Sequence, residues 1–191
     1  MRRAVFLDRD GVILDDNGPC WRPDDARIYP YAPAALARLR RAGFALVVIT
    51  NQSVVARGLA TVDDVAALHA WLNAQLAPHG AAVDHFEICP HHPEATLAAW
   101  RVDCACRKPR PGMILRAAAQ LDLDLAASEL IGDRLTDIAA GLAAGCTTTL
   151  VTTGAHGAPR IVTPVPDRGA RPHRVAPTLV EAVDAIVGGR A

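Results

Sequence analysis

Short apolar segments alternate with longer helical segments along most of this chain. The strand candidates cover residues 4–8, 44–50, 83–88, 129–133 and 147–154. A strand, a helix and a further strand build a parallel pair through a right-handed crossover, and a strand buried on both faces is apolar throughout. This order therefore predicts an α/β fold with a mostly parallel, Rossmann-like sheet and helices on both faces.

The helical segments have recognisable ends. Gly43 is placed to end the first, because glycine readily takes the left-handed backbone that follows a helix. Thr61 with Asp64, and Thr178 with Glu181, have the spacing in which two side chains cap the start of a helix. Helices are therefore predicted to begin at these two threonines.

The length of the chain suits one domain. It has 191 residues, of which 51% are hydrophobic and 21% charged. This size supports one substantial core and is short for two, so we expect residues 1–191 to form a single domain. The segment from about 156 to 177 is rich in Pro, Gly and Arg and is predicted to be a flexible loop.

Charge and cysteine content limit the classes of partner. The formal net charge is +0, which predicts neither a nucleic-acid partner nor a membrane partner. No apolar run approaches the roughly 20 residues that a bilayer requires, and the first residues lack a signal-peptide core. The five cysteines are an odd number, which is typical of free thiols in a reducing compartment. We therefore expect a cytoplasmic protein, and a monomer.

Polar side chains follow three of the predicted strands. Asp8 and Asp10 follow the first, residues 50–53 (Thr-Asn-Gln-Ser) follow the second, and Asp133 and Asp137 follow a later one. Open parallel sheets bind ligands at the carboxyl ends of their strands. One such motif alone is usually a polar turn, but several in this arrangement predict a functional site.

Lys108 is the only lysine among the 20 basic residues of the chain. An ammonium group is a compact charge with three rotatable donors, whereas a guanidinium is a planar fork with a delocalised charge. A chain that otherwise uses arginine is expected to keep one lysine where the compact charge is needed. We therefore predict that Lys108 lies among the carboxylates of the site.

Four potential metal ligands lie in the segment 89–108. They are Cys89, His91, Cys104 and Cys106. Thiolates and imidazoles bind Zn²⁺ in tetrahedral structural sites, and four protein ligands leave no open position for catalysis. We predict a structural Zn²⁺ that holds this loop in place and orients Arg107 and Lys108. His92 is an alternative to His91 as the fourth ligand.

The order D-x-D-G, Thr, Lys and G-D-x-x-x-D resembles the haloacid dehalogenase (HAD) superfamily of phosphatases over residues 5–151. The resemblance implies a sheet of order 3-2-1-4-5 in a capless HAD fold, to which this chain adds the zinc-stapled loop. It also implies Mg²⁺ at the Asp8 carboxylate, the Asp10 carbonyl and Asp133. Mg²⁺ is a hard cation that prefers oxygen ligands and offsets the charge of a phosphate.

The same resemblance implies the catalytic roles. Asp8 would be the nucleophile that forms an aspartyl-phosphate, and Asp10 the general acid and base. Thr50 and Lys108 would bind the oxygens of the transferring phosphoryl group. Asp137 is expected to hold Lys108 or a metal-bound water rather than the metal itself.

The zinc loop narrows the resemblance to the branch that contains heptose-bisphosphate and histidinol-phosphate phosphatases. "CPHHPE" and "CRKPRPGM" are closer to the heptose enzymes, which implies a small phosphorylated sugar as the substrate. The expected substrate contacts are Arg9, Asp16, Asn51, Gln52, Ser53, Arg57, Arg107 and Arg134. Arg57, Arg107 and Arg134 are candidates for a second phosphate, because planar forks suit phosphate oxygens.

Two alternatives remain at this point. One is a histidinol-phosphate phosphatase, because Arg134 within "GDRLTDI" is frequent in that group. The other is a zinc-stapled module that binds a sugar phosphate without catalysis. The intact set of Asp8, Asp10, Lys108 and Asp133 argues against such a module, since a binding protein needs no nucleophile.

Overall fold

Six parallel strands form one sheet in the computed structural model, which describes residues 1–153 and 169–189. The strands are β1 (Ala4–Leu7), β2 (Ala45–Asn51), β3 (His85–Cys89), β4 (Glu129–Gly132), β5 (Thr147–Val151) and β6 (Arg174–Ala176). Their order is β3-β2-β1-β4-β5-β6. The predicted α/β fold and the 3-2-1-4-5 order are confirmed, with a sixth strand added.

Helices connect the strands. They are α1 (Ala32–Arg41), α2 (Ser53–Ala56), α3 (Val62–Leu76), α4 (Gly112–Leu121), α5 (Leu135–Ala144) and α6 (Leu179–Gly188). The predicted capping pairs form before α3 and α6, where Asp64 and Glu181 bond Thr61 and Thr178. Within the described ranges, no helix combines the length and apolar character needed to cross a membrane.

The sheet separates two apolar cores. Val5 and Leu7 of β1 pack into a cluster with side chains of α1, α3 and α6. Ala4 and Phe6, which point to the opposite face, pack with side chains of α4 and α5. Successive side chains of a strand alternate between faces, so a central strand with helices on both sides is apolar at every position.

The segment predicted to be a loop, 156–177, differs from the structure at its end. Residues 156–168 lie outside the described part of the chain. Residues 174–176 form β6, which pairs in parallel with β5 at the edge of the sheet. The loop prediction is wrong for these residues, because the pairing depends on the neighbouring strand rather than on their own composition.

The direction in which strands are added to the sheet reverses at β1, because the chain passes from β1 to β2 and β3 on one side and then to β4, β5 and β6 on the other. β1 pairs with β2 on one side and with β4 on the other, so a crevice opens at the carboxyl ends of β1 and β4. Asp8 directly follows β1, and Asp133 directly follows β4. The topology therefore brings distant parts of the sequence to one edge of the sheet.

Candidate active site

Lys108 lies between two buried carboxylates. Its Nζ is 2.9 Å from Oδ1 of Asp8 and 2.6 Å from Oδ1 of Asp137, and it donates to the carbonyl oxygen of Ile49 at 3.0 Å. Lys108 is only 4% exposed. The predicted position of the lone lysine among the carboxylates agrees with this geometry, and Asp137 holds Lys108 as expected.

Asp137 reaches the site because α5 packs closely against β4. Its Oδ2 accepts a hydrogen bond from the backbone nitrogen of Arg134 at 3.0 Å, which caps α5. A Cβ atom on Gly132 would lie 2.3 Å from Cβ of Asp137. Glycine at position 132 therefore makes room for this carboxylate beside the sheet.

Burial and the interactions between neighbouring charges shift the pKa values of the site residues. Burial raises the pKa of Asp8 to about 6, against the opposing effect of Lys108 and with a further increase from Asp137 and Asp10. Burial, Asp8 and Asp137 raise the pKa of Asp133 to about 8. Burial alone would lower the pKa of Lys108, but Asp137 and Asp8 outweigh it and raise that pKa. The site thus has more negative charge than its ammonium offsets.

The carboxylates fit a divalent cation. One oxygen from each of Asp8, Asp133 and Asp137 lies within 4.8 Å of the others. Oδ1 of Asp133 is buried and has no hydrogen-bond partner within the described residues. Hard oxygen ligands and uncompensated negative charge are what Mg²⁺ requires, so Asp8 and Asp133 suit the predicted site. The carboxylate of Asp10 is not part of this cluster. The metal ligand predicted for Asp10 is its backbone carbonyl oxygen.

Two amide side chains of the 50–53 segment bond within the protein. Asn51 donates to the Lys108 carbonyl at 3.2 Å and accepts from the Lys108 backbone nitrogen at 3.1 Å. Gln52 donates to Oγ1 of Thr50 at 2.8 Å and to Oδ2 of Asp10 at 3.1 Å. In the described structure both amides position neighbouring residues, and their contact with a substrate stays a prediction. Ser53 is half-buried at the start of α2.

Arg9 is also internal rather than a substrate contact. Its side chain is fully buried. Nε and Nη2 donate to the two oxygens of Asp10, each at 3.0 Å, and Nη2 donates to the carbonyl of Cys20 at 2.7 Å. The sequence prediction for Arg9 is therefore wrong, because burial and these partners leave its guanidinium no access to a ligand.

Of the other predicted contacts, Arg134 and, through it, Asp16 lie beside Asp133. Nη2 of Arg134 is 2.9 Å from Oδ2 of Asp16, and Nε of Arg134 is 3.7 Å from Oδ2 of Asp133. On the side of the zinc loop, Arg107 donates to the carbonyl of His91 at 3.0 Å, and Arg57 is exposed.

The four predicted zinc ligands come together. Their ligand atoms all lie within 4.8 Å of one another. The three Sγ–Sγ distances are 3.5 Å, 3.3 Å and 3.2 Å, and Nδ1 of His91 is 3.7 Å from Sγ of Cys89 and 3.4 Å from Sγ of Cys106. Tetrahedral ligands about 2.0–2.3 Å from a zinc ion are about 3.3–3.8 Å apart. The observed separations of 3.2 Å to 3.7 Å are close to this range, so the cluster fits Zn²⁺. His92 instead accepts a hydrogen bond from the backbone of Glu94.

Close relatives of this chain are known. A family model described as HAD-hydrolase-like matches residues 105–182. The D-glycero-beta-D-manno-heptose-1,7-bisphosphate 7-phosphatase of Yersinia pestis is 42% identical over 152 residues, 79% of this chain and 81% of that protein. The chain belongs to the heptose-bisphosphate phosphatase family of the HAD superfamily. A family member from Rhodopseudomonas palustris is 46% identical over 144 residues, 75% of this chain and 80% of its own length.

A solved heptose-bisphosphate phosphatase has the same architecture. The crystal structure of D,D-heptose 1,7-bisphosphate phosphatase from B. bronchiseptica, complexed with magnesium and phosphate, matches with a TM-score of 0.82 and 36% identity. The match covers 98% of this chain and 99% of that chain. The resemblance to the HAD superfamily is therefore confirmed over almost the whole length of this family member.

One buried residue of this heptose-bisphosphate phosphatase family member, His69, was not predicted to contact the site. Nε2 of His69, on α3, lies 3.2 Å from Nη1 of Arg9. His69 is 5% exposed and stacks on Phe86, with ring centroids 4.6 Å apart. A signal was present in the sequence, because His69 follows Val65 by four residues and so belongs to the apolar stripe of α3. A polar residue on such a stripe requires a partner.

Proposed function

We propose that this chain is a Mg²⁺-dependent phosphomonoesterase that removes the 7-phosphate of D-glycero-β-D-manno-heptose 1,7-bisphosphate. The product is the heptose 1-phosphate, a precursor for nucleotide-heptose synthesis. The observation that carries the proposal is the contact of Lys108 with Asp8 and Asp137 beside the unpartnered oxygen of Asp133. The names of the relatives support this substrate and its β anomer.

The reaction needs a nucleophile beside a cation. The Asp8 carboxylate attacks phosphorus, the bond to the sugar oxygen breaks, and an aspartyl-phosphate forms. Asp8 and Asp133, with the Asp10 carbonyl, would hold Mg²⁺, which would offset the charge of the phosphate. The ammonium of Lys108 lies beside the Asp8 oxygens, so its charge faces the group that Asp8 receives.

Asp10 and Thr50 complete the reaction centre. Asp10 protonates the departing sugar oxygen and then takes a proton from the water that cleaves the aspartyl-phosphate. Gln52 donates to Oγ1 of Thr50 at 2.8 Å. Because a hydroxyl that accepts a hydrogen bond still has its own hydrogen, Thr50 can donate to a phosphoryl oxygen.

The second phosphate of the substrate requires a cationic surface. Burial lowers the pKa of His92, and the charges of Arg107 and Arg57 lower it further. Burial also lowers the pKa of Arg107, and the charge of Arg57 adds to this effect. Cations that repel one another at a surface attract an anion. We assign the 1-phosphate to Arg57 and Arg107, since Arg134 already pairs with Asp16.

The cysteine set supports a structural zinc and a reducing location. All five cysteines are free, and three of them take part in the cluster that fits Zn²⁺. We propose that the protein is a cytoplasmic monomer with about one zinc ion per chain, which metal analysis of the purified protein would measure.

Phosphate release tests the proposed reaction. The substrates are both anomers of the heptose bisphosphate, histidinol phosphate and fructose 1,6-bisphosphate, each with and without Mg²⁺. We expect the highest kcat/KM for the β anomer and release of its 7-phosphate only. Asp8→Asn is expected to lower kcat at least about a thousandfold, because an amide cannot replace the nucleophile.

Asp63→Asn is the matched control, since Asp63 is exposed at the start of α3. It should retain the activity of the unmodified chain. A higher kcat/KM for histidinol phosphate would favour that alternative. Binding of the sugar phosphate without any phosphate release would favour a non-catalytic module.

A further inference from the structure

Arg9 occupies an unusual place beside the reaction centre. It lies between Asp8 and Asp10 in sequence, and it comes first among the largest fully buried side chains of the described residues. A buried cation is unfavourable unless a carboxylate and further acceptors compensate it. An apolar residue would be easier to accommodate at this position. The buried guanidinium therefore indicates a specific role in the site.

The guanidinium fixes the plane of the Asp10 carboxylate. Nε donates to Oδ1 and Nη2 donates to Oδ2, each at 3.0 Å. Such a two-bond contact restrains both the position and the orientation of a carboxylate, which a single charge would not do. Nη2 also donates to the carbonyl of Cys20 at 2.7 Å, so the fork is tied to the loop between β1 and α1.

The same contacts distinguish the two oxygens of Asp10. Oδ2 accepts from Arg9 and also from Gln52 at 3.1 Å, whereas Oδ1 accepts only from Arg9 within the described residues. Each carboxylate oxygen has two lone pairs. Oδ1 therefore keeps a lone pair that can carry the transferred proton.

His69 holds the far side of the guanidinium. Its Nε2 lies 3.2 Å from Nη1 of Arg9. A guanidinium has only donors, so Nε2 must be the acceptor and the imidazole must be neutral. Burial first, and then Arg9, lowers the pKa of His69 to about 3, which agrees with a neutral ring. Stacking on Phe86 fixes the plane of the ring.

We propose that His69 and Arg9 are positioning residues that aim Oδ1 of Asp10 at the substrate. Their role rests on the proposed phosphatase function. In the first step, Oδ1–H gives its proton to the sugar oxygen while the P–O bond breaks and Asp8 forms the new bond to phosphorus. In the second step, Oδ1 takes a proton from the water that attacks the aspartyl-phosphate. Neither positioning residue touches the substrate.

Comparing two phosphate esters with different leaving groups distinguishes a positioning role from a general effect on the fold. The sugar alkoxide needs a proton to depart, whereas p-nitrophenolate departs without one. The ratio kcat/KM reports the steps up to the first irreversible one, so for p-nitrophenyl phosphate it does not depend on Asp10 as an acid. Loss of structure would lower kcat/KM for both esters alike.

The test compares His69→Leu with His69→Gln. We expect His69→Leu to lower kcat/KM for the heptose bisphosphate about tenfold and to leave kcat/KM for p-nitrophenyl phosphate within about twofold. For the aryl ester, kcat should fall, because the second step still needs Asp10 as a base. His69→Gln should restore most of the loss, since its amide oxygen can accept from Arg9.

Asn73→Leu is the matched control. Asn73 lies one turn further along α3 and bonds the backbone of Val83, so this variant loses partly buried hydrogen bonds without touching Arg9. It should change kcat/KM for both esters by the same factor. Arg9→Lys keeps the charge but not the planar fork, so it should lower kcat/KM for the heptose bisphosphate and not for the aryl ester, as His69→Leu does. It serves as the test if His69→Leu does not fold.

Equal losses for both esters in His69→Leu and Arg9→Lys, or no loss in either, would overturn the positioning role. Failure of the proposed function gives a different result. In that case the unmodified chain would not hydrolyse the heptose bisphosphate, whether or not it hydrolyses the aryl ester.

Discussion

Lys108 shows how one side chain can determine the charge of a site. Its ammonium is 2.9 Å from Asp8 and 2.6 Å from Asp137, and it donates to the carbonyl of Ile49. A planar guanidinium is larger and cannot direct its donors to three acceptors in different directions. We expect Lys108→Arg to lower kcat by at least about a hundredfold, measured by phosphate release.

Circular dichroism of Lys108→Arg should still show a folded protein. Arg38→Lys is the control for a change between the two cations, because Arg38 forms an exposed ion pair with Asp184 and such pairs contribute little. Unchanged kcat in Lys108→Arg would mean that this position does not require a compact charge.

Some site residues could be predicted from the sequence because their places follow from topology. Asp8 and Asp133 lie directly after strands, and the sheet order brings those strands together. The internal roles of Arg9, Asn51 and Gln52 could not be predicted. A long polar side chain beside a reaction centre can point to the ligand or into the protein, and only tertiary packing decides between them.

At the scale of elements, the contact between β4 and α5 fixes the acidic part of the site. A methyl group on Gly132 would meet Cβ of Asp137 at 2.3 Å, so backbone or side chain must move. We expect Gly132→Ala to lower the free energy of unfolding by about 1–3 kcal/mol and to lower kcat as well. Urea unfolding and phosphate release measure the two effects.

Gly188→Ala provides the comparison. Gly188 is the last residue of α6, and an added Cβ atom would meet nothing within 4 Å. Alanine is the better helix former, so this variant should be as stable as the unmodified chain or slightly more so. Equal stability of the two variants would show that β4 and α5 can separate without cost.

The main strands were predictable and β6 was not. The five longer strands alternate with helical segments, and taken together most of their residues are apolar or β-branched. Residues 174–176 are too few for a pattern, and they follow a segment rich in Pro, Gly and Arg. Their strand conformation comes from backbone pairing with β5, which no local sequence signal reports.

At the scale of the whole molecule, His69 links stability to pH. The unfolded chain protonates this imidazole below its ordinary pKa of 6.5, whereas burial and then Arg9 hold the folded pKa at about 3, against the opposing effect of Asp10. Its contribution to stability is therefore complete above pH 6.5 and is lost as the pH falls toward 3. The slope is at most about 1.4 kcal/mol per pH unit.

His69→Gln removes this titration. The unmodified chain should therefore lose stability relative to His69→Gln as the pH is lowered from about 7 to about 4.5. Urea unfolding of both proteins at several pH values measures the difference. His79→Gln, which changes an exposed histidine, should show no such trend, and a constant difference for His69→Gln would contradict a buried neutral imidazole.

The two ends of the segment 89–108 both contact one residue of the sheet, Asn51. Cys89 pairs with Asn51 in the register of β2 and β3, and Lys108 bonds the side chain of Asn51 at the other end of the loop. Ala95 is buried and Trp100 contacts the ring of His91, so the middle of the segment is held against the protein. Doubling the length of a flexible loop between fixed ends costs only about 0.6 kcal/mol, so we expect insertions beside the exposed residues Val102 and Asp103 to leave the ammonium in its place.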